Sequence, residues 1–323
     1  MPRPADEDRP LWSVMIPTYN CADTLRDTLR SVLAQDPGPA IMQIEVVDDC
    51  STRDDPAAVV AELGGGRVEL YQQPQNVGHS LNFNTCLQRA QGQLVHVLHG
   101  DDCVREGFYN RMQGVLAKNP DAGAAFCRFI TMDRCGHWGT IAPLEQPEDG
   151  ILSGWLDKIA TGQRLQTPCM AVRRAVYEQL GGFDERLAYH EDWEMWVRIA
   201  SHYAVAYITD PLALYRLSAA SETAQGAKVA RYGRDLRLTL EVIRPDLPAA
   251  RAPALLRQAR REFALACLRR GHRTFGAGNA AVVPAQIREA LLTDFSLDVL
   301  ARSAYLGLRW CWHAARGLAP RRK

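Results

Sequence analysis

Two neighbouring acids, Asp101 and Asp102, are the residues of this sequence best suited to metal chemistry. They follow the apolar residues 93–98, which predict a buried strand. Because open α/β folds bind ligands at the carboxyl ends of their strands, both carboxylates are expected at a binding edge. Adjacent side chains of an extended strand point to opposite faces, so one acid would hold a divalent cation while the other binds a sugar or ribose hydroxyl. The alternative is an Asp-Asp turn that caps a helix beginning near Val104.

A second acidic pair, Asp48 and Asp49, ends the apolar segment 41–47 in the same way. Strand ends of one parallel sheet share an edge, so the two pairs are expected to meet in one nucleotide-and-metal cleft. The sequence has neither the Gly-x-x-x-x-Gly-Lys-Ser/Thr of a phosphate-binding P-loop nor the Gly-x-Gly-x-x-Gly of a dinucleotide fold. These two ways of binding a nucleotide are therefore excluded.

A further acid, Asp192, lies in the polar and aromatic segment 190–196. It stands where a helix beginning at Trp193 needs its N-cap, and Trp193 and Trp196 have the spacing of core anchors on such a helix. The residues alone leave open whether Asp192 is only that cap or a catalytic carboxylate.

The elements that must position these acids are predicted from hydrophobic spacing. Strands are expected at 12–16, 41–47, 67–72 and 93–98, with helices between them at 22–34, 56–63 and 79–90. Strands that alternate with helices of this length predict a doubly wound, mostly parallel α/β sheet. Residues 1–10 are rich in proline and charge and are predicted to be disordered. From Lys228 onward the spacing is helical throughout.

The composition excludes several classes of protein. The 38 Lys and Arg residues balance 37 Asp and Glu, so no overall field favours nucleic acid as a partner. The nine cysteines form no Cys-x-x-Cys pair and follow no signal peptide, which indicates reduced thiols in a cytoplasmic protein. No apolar run approaches the roughly 20 residues that a membrane span requires.

The last helical segment, 300–318, combines aromatic and leucine residues with Arg302, Arg309 and Arg316, and the tail ends in three basic residues. Such a pattern is typical either of a helix packed on its own domain or of an interfacial amphipathic helix. The second interpretation predicts peripheral contact with the inner face of a membrane.

Taken in order along the chain, six motifs resemble those of the family 2 glycosyltransferases of GT-A fold. The likeness covers roughly residues 11–217, and its motifs lie at 14–20, 45–52, 76–78, 100–102, 181–184 and 191–193. The resemblance implies a GT-A catalytic domain at 11–217 followed by an α-helical C-terminal region at 218–323. It also implies a nucleotide-sugar donor and a metal cofactor.

The resemblance assigns donor-binding roles to several residues. Pro17, Thr18 and Tyr19 are expected to line the pocket of the nucleotide base, usually uracil, and Asp49 to hydrogen-bond that base. The other residues implied in donor binding are Asn76, Gly78, Asn82, Asp101 and Arg216.

The same resemblance assigns the chemistry to three acids. Asp101 and Asp102 match the motif that holds Mn²⁺ or Mg²⁺, with Asp102 as the direct ligand, and Asp192 matches the general base of inverting members. The chemistry agrees, because a divalent cation offsets the charge of the departing nucleoside diphosphate while a carboxylate activates the acceptor hydroxyl. A single displacement at the anomeric carbon then inverts its configuration.

Two positions depart from the family's pattern. Phe83 stands where many members carry a phosphate-contacting Arg, although the flanking Asn82 and Asn84 resemble a subgroup that uses amides there. The family's Tyr-Arg-x-His motif ends here in Ser218, which puts a third metal ligand in doubt, while Arg216 could still contact phosphate.

The sequence therefore predicts a cytoplasmic, metal-dependent, inverting glycosyltransferase. Its donor would be a nucleotide sugar, most commonly a UDP-sugar, and its acceptor a hydroxyl of a glycan, a lipid-linked molecule or a natural product. The alternatives are a retaining GT-A transferase and a non-catalytic nucleotide-sugar-binding or scaffold protein.

Overall fold

The computed structural model describes residues 9–217 and 226–315, with side chains described only from 229 to 313 in the second range. The chain divides into two units, an α/β unit of residues 1–155 and 164–218 and a helical unit of residues 156–163 and 219–323. Residues 1–8 of the segment 1–10 that is predicted to be disordered lie outside the described residues, as do Ser218 and the end of the predicted amphipathic segment with its basic tail, 316–323.

The α/β unit contains a mixed sheet in which parallel pairing dominates. Its strands are β1 at Trp12–Thr18, β2 at Met42–Asp48, β3 at Glu69–Gln72, β4 at Leu94–Val97, β5 at Cys103–Val104, β6 at Ala122–Met132, β7 at Trp138–Ile141, β8 at Gly150–Ile151, β9 at Met170–Arg173 and β10 at Ala204–Arg216. Their order is β3-β2-β1-β4-β9-β6-β10-β5, with β7 beside β6 and β8 beside β10. The first four strands pair in parallel, as do β6 and β10, whereas β9 is antiparallel to both of its neighbours.

Helices connect the strands of this sheet. They are α1 at Ala22–Leu33, α2 at Pro56–Gly64, α3 at His79–Arg89, α4 at Phe108–Lys118, α5 at Trp155–Ile159, α6 at Arg174–Leu180 and α7 at Glu191–His202. Helix α1 buries Leu25, Leu29 and Val32, the stripe that the sequence spacing predicts. Helix α2 begins on the side chain of Asp55, which accepts the Ala58 N–H, and has a proline in its first turn.

The strands β1, β2 and β4 are buried along their whole length, which explains why their sequences are mainly apolar. Polar side chains within them must therefore be paired inside the sheet. The Ser13 hydroxyl donates to Gln43 Oε1 between β1 and β2 (2.5 Å), so these polar groups are satisfied inside the sheet. A core of this kind fixes the strand ends, and with them the acids that follow.

Two predicted element boundaries were wrong. No helix begins near Val104, because Cys103 and Val104 form the short strand β5 and the next helix starts at Phe108. Helix α7 begins at Glu191 rather than Trp193, with His190 in the N-cap position. Asp192 therefore lies inside the first turn of α7 and is not its cap.

The helical unit contains all but the first residue of α5, followed by α8 at Gly226–Val242, α9 at Ala252–Gly276, α10 at Val283–Thr293 and α11 at Leu297–Ala315. Helices α9, α10 and α11 share a core that includes Leu268, Phe275, Val283 and Leu306. Arg261 pairs with Asp298 at 2.7 Å and joins α9 to α11. Within the described residues, each helix is too short or too polar to cross a membrane.

Candidate active site

A cavity of about 460 Å³ opens at the carboxyl ends of β1, β2 and β4 and at the amino end of α3. It is lined by Pro17, Thr18, Tyr19, Cys21, Asp49, Asn76, Gly78, His79, Asn82, Phe83, His99, Gly100 and Asp101. Eight residues that the sequence predicts to bind a donor are among them. The structure thus brings four separate segments of the chain to one edge of the sheet, where α/β folds bind their ligands.

Asp49 holds one wall of this cavity in place. Its Oδ1 accepts the Val77 N–H at 2.7 Å, and its Oδ2 accepts the Gly78 N–H and the Asn76 amide, both at 2.9 Å. Burial raises the pKa of Asp49, and the two backbone N–H groups work against that rise. Both oxygens of Asp49 therefore already carry hydrogen bonds to the loop 76–78.

Glycine is required at two positions around the cavity. Gly78 has a φ of +89°, which favours glycine over residues with a side chain. A Cβ at Gly100 would lie 2.9 Å from Thr18 Oγ1 and 3.0 Å from Cys21 Sγ. The turn that carries Asp101 can approach β1 this closely because Gly100 has no side chain.

Asp101 and Asp102 lie in a tight turn, not on an extended strand. The Asp102 N–H donates to the His99 carbonyl at 3.1 Å, which closes the turn. The prediction that the two carboxylates alternate across a strand was therefore wrong. Asp101 lines the cavity, whereas Asp102 is fully buried beneath it.

His99 joins the two acids in a compact cluster. Ligand atoms of His99, Asp101 and Asp102 all lie within 4.8 Å of one another. His99 Nδ1 is 3.4 Å from Asp102 Oδ2. Burial and the charge of Asp101 raise the pKa of Asp102 to about 6. Burial works to lower the pKa of His99, but the Asp102 carboxylate 3.4 Å away and the other nearby carboxylates raise it overall.

This cluster fits a divalent cation. Asp102 Oδ1 accepts the Arg216 backbone N–H at 2.8 Å, while Asp102 Oδ2 is buried with no hydrogen-bond partner in the described part of the chain. A buried carboxylate oxygen without a donor is costly unless a cation satisfies it. Carboxylates are ligands that Mn²⁺ and Mg²⁺ prefer.

Arg216 lies behind the acidic turn. Its guanidinium donates to the carbonyl oxygens of Asp101 at 2.7 Å, Arg134 at 3.0 Å and Asp133 at 3.2 Å, and to Asp27 Oδ2 at 3.1 Å. The side chain is 3% exposed and is not among the residues that line the cavity. In this conformation Arg216 supports the turn, and its predicted contact with phosphate stays a prediction.

The two asparagines of α3, Asn82 and Asn84, form hydrogen bonds with backbone groups of the protein. The Asn82 amide donates to the Val47 carbonyl at 3.0 Å, and Asn84 exchanges two hydrogen bonds with the backbone of Phe183. Phe83, at the position where the family resemblance implies a phosphate-contacting arginine, is buried and stacks on His99 with ring centres 5.2 Å apart. The departure at Phe83 thus supplies packing for the imidazole next to the acids.

Asp192 is 9% exposed, in the first turn of α7. Its Oδ2 accepts the Thr167 hydroxyl at 3.1 Å, and its Oδ1 accepts the Trp193 N–H at 2.7 Å. Burial and the charge of Glu191 raise the pKa of Asp192 to about 6, while the positive charge of His99 lowers it. Asp192 is not among the residues that line the cavity or form the His99 cluster, although it lies close enough to His99 for their charges to interact.

Sequence reasoning missed three participants in this region. His99 precedes the acidic pair directly, and that position was the signal that could have found it. His79 pairs through Nδ1 with Glu191, which is 2% exposed, and Thr167 bonds to Asp192. These two contacts join residues 112 and 25 positions apart, so local patterns do not reveal them.

A larger cavity of about 770 Å³ is lined by Asn84, Leu87, Arg174, Phe183 and their neighbours. It includes none of the acids discussed above and lies on a different face of α3. We therefore place the candidate active site in the smaller cavity, where the titratable groups converge.

The sequence profile of Glycosyl transferase family 2 matches residues 13–181. An uncharacterized protein of Mycobacterium tuberculosis is 28% identical over 235 residues, which are 67% of this chain and 70% of that protein. The succinoglycan biosynthesis protein ExoO of Rhizobium meliloti is 33% identical over 121 residues, which are 38% of this chain and only 33% of ExoO.

Two solved structures share the fold. S. aureus TarS 1-349, solved with UDP-GlcNAc, has a TM-score of 0.61 at 17% identity, over 87% of this chain and 88% of that one. The mannosyltransferase PcManGT of Pyrobaculum calidifontis, solved with GDP-Man and Mn²⁺, has a TM-score of 0.58 at 21% identity, over 93% of this chain and 81% of that one. These likenesses confirm the predicted GT-A fold with its mostly parallel sheet and C-terminal helices.

Proposed function

The chain belongs to glycosyltransferase family 2, and we propose that it transfers a sugar from a UDP-sugar to an acceptor hydroxyl with inversion at the anomeric carbon. The acceptor class is a glycan, a lipid-linked molecule or a natural product. The observation that carries this proposal is the cluster of Asp101, Asp102 and His99 at the edge of the donor cavity. Asp192 lies close enough to His99 for their charges to interact. Such a set can bind a charged donor on one side and activate an alcohol on the other.

The donor occupies the cavity of about 460 Å³ in this proposal. Pro17, Thr18 and Tyr19 form its wall at the end of β1, and Tyr19 is 46% exposed there, available to pack on a base. Asp49 and the loop 76–78 form the opposite wall. UDP as the carrier is supported by the TarS complexes with UDP and UDP-GlcNAc, while the GDP-Man complex of PcManGT gives the alternative carrier to test.

Asp102 and Asp101 would hold Mn²⁺ or Mg²⁺, through the partnerless Asp102 Oδ2 and a carboxylate oxygen of Asp101. A bound cation supplies charge that stabilises the departing nucleoside diphosphate. Arg216 keeps the turn in place for this role, since its guanidinium binds three carbonyl oxygens and Asp27 at once.

Asp192 would act as the general base. Its raised pKa of about 6 leaves it deprotonated at neutral pH yet more basic than an ordinary aspartate. The Thr167 hydroxyl fixes one carboxylate oxygen and the Trp193 N–H the other, so the group is held in one orientation. As Asp192 takes the acceptor proton, the acceptor oxygen bonds to the anomeric carbon opposite the departing nucleoside diphosphate, so one displacement inverts the configuration.

The test is a donor screen with the full chain. UDP-GlcNAc, UDP-glucose and GDP-mannose are each added with Mn²⁺, and the melting temperature and the release of nucleoside diphosphate are measured. We expect UDP-sugars to raise the melting temperature only with Mn²⁺ or Mg²⁺, and Asp102→Ala to abolish that rise. A donor that binds tightly and is never consumed with any acceptor would favour the non-catalytic alternative. A product with retained anomeric configuration by NMR would favour the retaining alternative.

A second part of the proposal concerns the outer face of α11. Val299 and Leu306 of this helix are fully buried, whereas Leu297, Tyr305 and Leu308 are 86%, 62% and 73% exposed. The helix thus has one apolar face in its own core and another facing outward. Arg302 and Arg309 are exposed beside it, and residues 219–323 contain 19 Lys and Arg against eight Asp and Glu.

We propose that this outer face binds peripherally to an anionic membrane, because apolar side chains flanked by arginines match a negatively charged lipid surface. Cosedimentation with phosphatidylcholine vesicles is compared with and without phosphatidylglycerol. Binding is expected only with the anionic lipid and is reduced in Leu308→Glu. The matched control is Leu144→Glu, an exposed leucine of the α/β unit, which should bind as wild type does. Equal binding of Leu308→Glu, or a dimer formed through this face, would overturn the proposal.

A further inference from the structure

His99 is the nitrogen-bearing member of the acidic cluster, and the proposed reaction assigns it no role. We propose that His99 is a direct ligand of the divalent cation, supplying the third protein ligand that the sequence lacks at Ser218. The inference rests on the proposed metal-dependent function and deepens it.

The distances fit a shared coordination shell. Neighbouring ligands of a six-coordinate ion with bonds of about 2.1 Å stand about 3 Å apart. His99 Nδ1 and Asp102 Oδ2 are 3.4 Å apart, and an atom of Asp101 completes a set within 4.8 Å. A cation bound between these atoms needs only small side-chain movements.

The hydrogen bonding around the cluster also favours a cation. Asp102 is fully buried, and its Oδ1 is already used by the Arg216 N–H, which leaves Oδ2 directed at His99. The structure gives that oxygen no hydrogen-bond donor among residues 9–217 and 226–315. One ion between Asp102 Oδ2 and His99 Nδ1 would satisfy the oxygen and use the nitrogen lone pair.

The imidazole of His99 is held in place for this purpose. Phe83 stacks on it with an interplanar angle of 27°, and the ring of His79 lies 5.6 Å away. Stacking limits rotation of the ring, so Nδ1 stays directed at Asp102. Phe83, where the family resemblance implies an arginine, therefore holds the His99 ring in position.

A nitrogen ligand changes which cation the site prefers. Mg²⁺ takes oxygen ligands almost exclusively, whereas transition metals including Mn²⁺ accept imidazole nitrogen. His99 is therefore expected to favour Mn²⁺ over Mg²⁺, and His99→Asp, which restores an oxygen ligand, is expected to reduce that preference.

The test is pulsed electron paramagnetic resonance of Mn²⁺ bound to the full chain with UDP. We expect wild-type protein to show the coupling of a directly coordinated ¹⁴N nucleus, and His99→Gln and His99→Asp to lose it. His79→Gln is the matched control, since His79 lines the same cavity outside the ligand cluster, and it should keep the coupling. Competition titrations should show about tenfold weaker Mn²⁺ binding in His99→Gln, of the order seen when a group that supports a metal site is lost.

The outcomes distinguish failure of the role proposed for His99 from failure of the metal-dependent reaction. Mn²⁺ bound by the wild type without ¹⁴N coupling, or coupling that persists in both His99 variants, would overturn the role of His99 and leave the metal-dependent reaction intact. Failure of the wild type to bind Mn²⁺ with UDP at all would overturn the metal-dependent reaction as well.

Discussion

The two units of the chain differ in charge to a degree that the overall balance conceals. The α/β unit, residues 1–155 and 164–218, contains 18 Lys and Arg against 28 Asp and Glu, whereas the helical unit, residues 156–163 and 219–323, contains 20 against nine. The acidic unit gathers carboxylates at strand ends around a cavity, and the basic unit exposes arginines beside apolar side chains. The acids of the candidate active site and the exposed apolar and basic face of α11 thus belong to different units of one chain.

The units also differ in which polar groups they bury. The α/β unit buries seven acids, several of them at or beside the candidate active site: Glu45, Asp48, Asp49, Asp102, Glu191, Asp192 and Glu194. The helical unit buries Asp235 and Glu289 within its described residues. Buried acids with raised pKa values are typical of functional sites, while isolated buried acids more often hold helices together. Matched substitutions in the two units test this assignment.

The largest expected effect is that of Asp192→Asn. Loss of a general base lowers kcat by about 10²- to 10⁴-fold, because the acceptor must then give up its proton unaided. Asp235→Asn makes the same change at a buried acid of the helical unit and should leave kcat within about twofold. UDP release under saturating donor measures both. Comparable activity in Asp192→Asn and wild type would remove Asp192 from the mechanism.

Arg216→Met should destabilise the α/β unit by about 3 kcal/mol, because four acceptors lose a buried charged donor. Weaker binding of UDP with Mn²⁺ should accompany this loss, since the acidic turn loses its support. The counterpart in the helical unit is Arg237→Met, which breaks an ion pair with Glu289 and should not weaken UDP binding. Urea unfolding and calorimetric titration separate the effects. Unchanged stability with weaker UDP binding would instead indicate a direct phosphate contact of Arg216.

The pH dependence follows from the raised pKa of Asp192. Burial and the charge of Glu191 raise that pKa to about 6, and the base must be deprotonated to work. We expect kcat/KM to be level above this value and to fall about tenfold per pH unit below it. Saturating Mn²⁺ in the assay prevents protonation of Asp102 from contributing to the fall. A level profile down to pH 4.5 would contradict the role of Asp192.

The smallest expected effect compares two glycines. A Cβ at Gly182 would overlap Asn84 Oδ1, which bonds to the Phe183 N–H, so Gly182→Ala should cost about 1–3 kcal/mol. Gly276 ends a helix of the other unit with no atom near its Cβ position, and Gly276→Ala should be neutral or slightly stabilising. Thermal unfolding measures both variants. Equal stability of the two would show that the Asn84 contact contributes little.

The fold was predictable because its central strands can be recognised from local sequence alone. Strands β1, β2 and β4 are buried throughout, so the apolar segments that predict them are nearly continuous. The topology brings the carboxyl ends of these strands to one edge, and eight of the nine residues predicted to bind a donor accordingly line one cavity, Arg216 being the exception. The family membership inferred from six ordered motifs was confirmed by the match over residues 13–181.

The contacts that define the site were less predictable, since they join distant residues. Arg216 lies 115 positions from the Asp101 carbonyl that it binds, and no local pattern reveals that its side chain points inward. The start of α7 was missed because aspartate is a common N-cap residue, whereas Asp192 lies inside the first turn. Only the fold shows that the Thr167 hydroxyl donates a hydrogen bond to one of its carboxylate oxygens. His99 stood beside the predicted metal motif, but its orientation depends on Phe83 from another helix.

The most direct test of the central claim is a crystal structure of the full chain with Mn²⁺ and an unreactive UDP-sugar analogue. The account predicts an anomalous manganese peak between Asp101, Asp102 and the diphosphate, with the anomeric carbon facing Asp192. A manganese peak away from Asp102, or a sugar turned from Asp192, would contradict it.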